Sequence, residues 1–333
     1  MAGKVAAIQA LINADNLARE LSGLYDRWRI QRMEKEAEWK ELRNYIFATD
    51  TSTTTNSSLP WKNKTTVPKL TQIRDNLHAN YMDALFPNED WVIWDGDDVD
   101  SVAKNKRKAI TSYIKNKCRQ SGFRETVSQC LYDYIDYGNA QGEIQWVKDV
   151  IKDPTTGEET IKYIGPKLVR ISPYDLVFNP SAPSFESSPK FTRYLKSIGE
   201  LKKDIKTRPD LQFSDAVLNK GIELRNKMSS FRMEDMNKAD GFTADGFGSL
   251  SEFYGSGLIE ILEFEGDFYD QTTGELYENR VISIIDRAYI LRNIPNPSWI
   301  GRDTKAHVGW RDRPDNLYGT GPLDNLVGMQ YRL

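Results

Sequence analysis

Cysteine, histidine, net charge and long apolar runs are all scarce in this chain, and each scarcity removes a class of function. The two cysteines, Cys118 and Cys130, are too few for a disulfide scaffold and point to a reducing compartment. They stand twelve residues apart without a Cys-x-x-Cys partner, which excludes a zinc or redox motif. The two histidines, His78 and His307, have no second His or Cys at metal-ligand spacing. Neither has the nucleophile and orienting group that a catalytic base requires, so both read as structural or surface residues. A net charge of −3, from 45 basic and 48 acidic residues, gives no strong overall field for nucleic acid. It permits a conduit through which DNA slides, where strong phosphate contacts would act as traps. No run approaches the ~18 apolar residues of a membrane span, and the stretch from Met1 to Ile8 lacks the apolar core of a secretory leader. A chain without membrane contact, made and used in a cytoplasm, is expected.

What the chain does have is aromatic surface. Eight Trp and sixteen Tyr offset a somewhat polar composition, 39% hydrophobic and 28% charged, so ordered cores are expected. A length of 333 residues favours two subdomains. This composition fits an extended subunit that completes its burial against neighbours, and equally a monomer with long loops.

Four regions follow from periodicity and breaks. Residues 1–48 read as one long helix or a helix pair, with Leu17, Leu21, Leu24 and Trp28 on one stripe and Trp39, Leu42 and Ile46 resuming it. Its charged middle places Glu36 four residues before Lys40. Two accounts stand equal: a solvated surface helix with one buried face, or an arm strapped onto an adjacent subunit through Leu21, Leu24, Trp28 and Trp39. Residues 49–138 form a helical region. It opens with a Ser/Thr-rich loop from Thr49 to Ser58, continues as a helix from Lys69 to Phe86, and passes a short strand from Trp91 to Asp95. Helices near 99–119 and 122–137 follow, with breaks at Gly122 and Gly138.

Residues 139–312 change character. The Thr-Thr-Gly-Glu sequence occurs in two turns, Asp153–Glu158 and Asp270–Glu275, each between strand-like segments, and each places Gly where a left-handed backbone is needed. A helical insertion at 197–236 and a Gly/Phe-containing loop at 240–248 lie between them. Helices first, then antiparallel hairpins with a helical insertion, make an α+β fold. Residues 313–333 run through Gly319-Thr-Gly321 into Pro322, which suits the first position of a helix. Leu323, Leu326, Val327, Gln330 and Tyr331 then lay down an apolar face, and no stop signal follows, so the front portion of a longer protein is expected.

Three other patterns invite chemistry. The cluster Asp95-Gly-Asp-Asp-Val-Asp100 could hold a divalent cation, but it departs from the calcium-loop pattern, and carboxylates at the start of a helix explain it better. Gly319-Thr-Gly321 lacks the Gly-Lys-Ser/Thr of a phosphate loop, and Asp324 stands where a third dinucleotide-binding glycine would be. The basic run Lys104–Lys108, with Lys115, Lys117 and Arg119, reads as a solvated helix face, with DNA phosphate or an acidic neighbour as the alternative.

The turn Tyr318-Gly-Thr-Gly-Pro-Leu323 follows a β-rich stretch that includes Val281 to Trp299 and Ser172-Pro-Tyr-Asp-Leu-Val-Phe-Asn-Pro180. Together these segments resemble the portal (head-to-tail connector) proteins of tailed bacteriophages, in particular the short-tailed type. The resemblance implies a wing-like α/β region around a helical stem, with Gly319, Gly321 and Pro322 as a structural motif. It implies a structural subunit without active site, metal or cofactor, in a homo-oligomeric ring usually of twelve, at one vertex of the capsid. Double-stranded DNA would be packaged and ejected through that ring by a separate terminase. The major capsid protein and tail adaptor proteins would be further partners. The location would be the virion, reached from the host cytoplasm. Two other classes stand beside this: a metal-dependent nuclease or hydrolase using Asp95–Asp100, and a monomeric phage adaptor module.

Overall fold

The first helix, α1 (Ala2–Phe47), is continuous, about 70 Å long at the standard rise per residue. It settles the choice between one helix and two. The computed structural model describes residues 2–47, 69–88, 91–94, 101–152, 159–227, 258–298, 304–311 and 314–327. The stripe of α1 is covered by three successive clusters. Leu17, Ala18, Leu21 and Tyr25 pack against Val177, Phe191, Leu262 and Phe264. Trp39 packs among Tyr137, Leu176, Phe178 and Tyr318. Leu42, Tyr45 and Ile46 meet Leu70, Ile135 and Leu323. The charged stretch between is not a solvated face throughout, because Arg29, Arg32 and Glu36 are buried.

Helices α2 (Lys69–Leu85), α3 (Ser101–Gln120) and α4 (Phe123–Asp136) follow. Gly122 and Gly138, both at φ +67°, end α3 and α4 as the left-handed breaks expected of them. Arg74 of α2 reaches both carboxylate oxygens of Asp136, at 2.6 and 2.7 Å, and ties α2 to α4. Trp91–Trp94 is not a strand. The Trp91 ring stacks on Phe123 at 5.4 Å, and the Trp94 amide donates to the Thr111 hydroxyl rather than to a ladder partner.

The strands are β1 (Asn139–Lys152), β2 (Glu159–Arg170), β3 (Leu176–Phe178), β4 (Lys190–Ser197), β5 (Leu258–Tyr269), β6 (Leu276–Ile285), β7 (Tyr289–Pro295) and β8 (Lys305–Gly309). They form a three-stranded sheet, β2-β1-β8, and a five-stranded sheet, β3-β4-β5-β6-β7, with every pairing antiparallel. The fold is α+β. The insertion supplies α5 (Ile198–Thr207) and α6 (Asp215–Lys227). A capping box of Ser197 and Glu200 starts α5, and Leu201 and Leu218 seat both helices on Ile259, Ile261 and Ile285.

The turn at Asp270–Glu275 is the expected hairpin tip. Gly274 has φ +72°, and the Asp270 carboxylate accepts the Thr272 and Thr273 amides. The matching turn at Asp153–Glu158, the loops at Thr49–Ser58 and 240–248, and the cluster Asp95–Asp100 lie outside the described residues.

A buried charge cluster joins the two sheets. Lys305 of β8, 5% exposed, pairs with Glu265 and lies 3.8 Å from Glu263, both on β5. Arg292 of β7 holds Glu263 from the other side. Burial by itself would raise the Glu263 pKa, but Lys305 and Arg292 outweigh it and hold the carboxyl below the ordinary carboxylate value of 4.5. Its stabilisation is therefore complete above the unfolded pKa and fades as pH falls through the lower folded value. Lys305→Met should cost about 3 kcal/mol at neutral pH, because it removes a cation shared by two buried carboxylates. That cost should shrink once acid protonates them. Urea denaturation of both proteins at pH 7 and pH 4 measures the difference.

Candidate functional site: the docking point of the Gly319-Thr-Gly321 turn

The segment from Asn316 to Leu323 returns across the junction between α4 and β1, where the chain reverses at Gly138. The two backbones touch. A Cβ placed on Gly138 would stand 2.4 Å from the Gly321 nitrogen and 2.6 Å from the Thr320 carbonyl carbon. A Cβ on Gly319 would stand 2.7 Å from the Gly138 oxygen. Gly138 and the distant pair Gly319 and Gly321 thus share one crossing that admits no Cβ at Gly138 or Gly319 and leaves only tight room, 3.2 Å, at Gly321.

Polar groups close the crossing. The fully buried Asn139 donates through Nδ2 to the Tyr137 and Gly319 carbonyls, at 2.6 and 3.3 Å, and its Oδ1 accepts the Gly319 amide at 2.8 Å. The Thr320 amide donates to the Arg311 carbonyl and the Gly321 amide to Asp324 Oδ2. All three amides of the turn are therefore turned inward. A phosphate loop needs such amides directed at its ligand, so this turn has none to offer a nucleotide. The Asp324 carboxyl is pushed above its usual range by burial, which the Gly321 amide only partly offsets. Pro322 does not begin the helix. Pro322 and Leu323 form a turn, Asp324–Leu326 is a 3₁₀ helix, and helical assignment begins at Val327. The Gly321–Asp324 hydrogen bond holds that tighter first turn.

Tyr318 anchors the segment in an aromatic pocket, stacked on Phe178 with centroids 4.4 Å apart and edge-on to Trp39. Arg32 of α1 lies beside it. The guanidinium is buried, donates to the carbonyls of Pro173, Tyr174 and Leu176 at 2.8, 3.1 and 2.6 Å, and pairs with Glu36 at 2.7 Å. Burial works against this cation, but Tyr318 and Glu36 outweigh it and leave its pKa above the ordinary arginine value. Arg32 falls in phase with the apolar stripe, between Trp28 and Trp39, and that phase was the available sequence signal for its burial.

The other candidates are dispersed. Leu21 and Trp39 are buried within the chain, and Leu24 and Trp28 partly so, with Trp28 edge-on to Phe191. His78 stacks on Tyr132 and meets Ser128, while the His307 ring meets the Leu317 carbonyl at 2.9 Å. Burial pushes the Cys130 thiol up to about 11 and Cys118 in the same direction, which disfavours the reactive thiolate. Among the described residues no three His, Cys, Asp or Glu side chains form a metal-sized group. On α3, Lys117 donates to the Ile164 carbonyl and lies over the Tyr163 ring, fastening the helix to β2. Nearby, a cleft of about 630 Å³ has Phe86, Trp91 and Phe123 in its wall and Lys115, Arg119 and Arg124 around it.

Gly138→Ala should destabilise the fold by about 2–4 kcal/mol, combining a positive φ with backbone overlap. Gly199→Ala, where a Cβ would meet nothing within 4 Å, should be neutral or slightly stabilising. Arg32→Met should cost about 3 kcal/mol, through three carbonyls left without their donor and Glu36 left with less compensation. Chemical denaturation of the three variants against the parent checks the order.

No protein-family model matches this chain, and no curated protein matches it.

Proposed function

We propose that this chain is a structural subunit of a tailed-phage portal ring, with no active site of its own. In this reading the major capsid protein surrounds the ring at one vertex. Double-stranded DNA passes through the central channel under a separate terminase motor, and tail adaptor proteins later occupy the ring's outer end. The protein assembles in the host cytoplasm and remains in the virion. The segments that carry the resemblance support this. Two of the three segments, Tyr318 to Leu323 and Ser172 to Pro180, meet around Phe178 and Tyr318 and form one packed unit, while Val281 to Trp299 packs elsewhere in the second sheet.

The observation that carries an assembly role is surface that a lone subunit leaves wet. Trp146 is 68% exposed, and Ile144 and Val308 are each 56% exposed. An antiparallel sheet with one face in water ordinarily carries polar residues there. Apolar patches on this scale mark interaction surfaces.

Negatively stained images of the purified protein should show rings with a central opening, and native mass should correspond to a closed multiple of one subunit. A single-subunit mass at every soluble concentration would remove the portal reading.

A further inference from the structure

We infer that copies of this chain join head to tail through two different surfaces, the apolar outer face of the β2-β1-β8 sheet and the glutamate-bearing outer face of α1. This rests on the assembly reading above and locates the contact that it requires. The ladder registers place the first surface. Ile144 lies opposite Leu168, Lys148 opposite Ile164, and Ala140 opposite Val308. With side chains alternating along each strand, Ile144, Trp146, Ile164 and Val308 share one face. They are 56, 68, 40 and 56% exposed. The same face carries exposed Lys148, and exposed Lys162 lies at the register shift beside it.

The second surface lies on α1, on the side away from Trp39 and the buried Arg32. Ile30 and Met33 are 64 and 43% exposed there. Glu34, Ala37, Glu38 and Glu41 continue the exposed face at spacings of three and four. Glu38 holds Lys35 at 2.6 Å. Exposed Arg27, seven residues before Glu34, lies on the same face, so Arg27 and Lys35 leave a small excess of negative charge from Glu34, Glu38 and Glu41; the sheet patch is apolar with positive charge.

The occupant is a second copy because one chain carries both halves of a complementary pair. Pairing the sheet patch with itself about a two-fold axis would bring Lys148 and Lys162 toward their own copies, and like-charge juxtaposition across an interface is costly. Pairing patch with opposite patch puts Lys148 and Lys162 toward Glu34 and Glu41. It also covers Trp146 and Ile144 with Ile30 and Met33. Two different patches per subunit make a heterologous contact, the kind that repeats around a ring.

The test uses two charge-reversed chains, one carrying Glu34→Lys with Glu41→Lys, the other Lys148→Glu with Lys162→Glu. All four positions are exposed, and circular dichroism checks that both variants fold. Each variant alone should need about tenfold or more higher concentration for half-assembly than the parent. An equimolar mixture should recover assembly, since each variant then offers the other an opposite charge at both contacts. Trp146→Ser should weaken assembly without recovery by either variant. If the reversed chains assemble as the parent does, or fail without recovery on mixing, the two surfaces are wrong while the ring reading stands. A parent chain that stays monomeric overturns both.

Discussion

Arg32 is the interaction on which the rest of the architecture turns. Its guanidinium lies where the middle of α1, the backbone leading into β3 and the Tyr318 segment converge. The carbonyls of Pro173 and Tyr174 belong to no ladder, and burial without a donor would leave them costly. A planar group with five N–H donors serves several carbonyls and a carboxylate together, which a lysine ammonium cannot do at the same geometry. Desolvating the cation costs several kcal/mol, and only the combination of Glu36, three carbonyls and two aromatic faces offsets it. Strength is not its main contribution. A buried cation with directional partners allows one placement of α1 over the sheet, whereas an apolar stripe alone would tolerate sliding.

That placement sets the glycine crossing. Trp39, one residue beyond the i+6 position from Arg32, edges Tyr137, Tyr174 and Tyr318, so the same stretch of helix fixes both the end of α4 and the returning segment. Gly138 is then forced into backbone contact with the Gly319-Thr-Gly321 turn, and a Cβ on Gly138 or Gly319 would overlap that backbone. The Lys305 cluster does comparable work between the two sheets. β8 follows the whole second sheet in sequence yet pairs with β1, so the first sheet closes only when the chain comes back past β5, and Lys305 meets Glu265 there. Charge inside this protein marks where distant segments of chain meet.

Much of the fold was legible in the sequence for local reasons. The helical character and apolar stripe of α1, the breaks at Gly122 and Gly138 and the turn at Gly274 follow from periodicity and from the freedom of glycine at positive φ, whereas periodicity left one helix or two open over α1. Non-local burial was not legible. Lys305 counts as polar in any window of sequence and its carboxylate partners stand on another strand; Arg32 shows its burial only through its phase on the apolar stripe, while the carbonyls it serves lie more than a hundred residues away. Trp91–Trp94 has the composition of a strand, but a strand needs a ladder partner, and here the aromatic ring found Phe123 first. Pro322 suits the first position of a helix, but the residues that follow it form a turn and the 3₁₀ helix Asp324–Leu326, with the Asp324 carboxylate on the Gly321 amide. The receptor at Gly138 carried no sign of its role beyond being a glycine.

The distribution of residue types is inverted in a way that bears on function. Arg32, Glu36, Lys305 and Glu265 lie inside, while Trp146, Ile144, Ile30 and Val308 lie outside. Neither half is favourable for a monomer: buried ions give little net stability, and exposed tryptophan and isoleucine invite promiscuous association. Both become reasonable in an assembly of identical chains. Directional buried charges give each subunit a single rigid shape, and a closed ring needs that rigidity because a small angular error at one contact repeats at every contact. On the proposed contact, exposed apolar residues would supply association energy, and Lys148 and Lys162 would disfavour pairing of the sheet face with itself. The physical case for the proposed ring subunit therefore rests on the interior and the surface together. A loosely packed chain with the same sticky face would aggregate, and the same rigid chain with a polar face would have no reason to assemble.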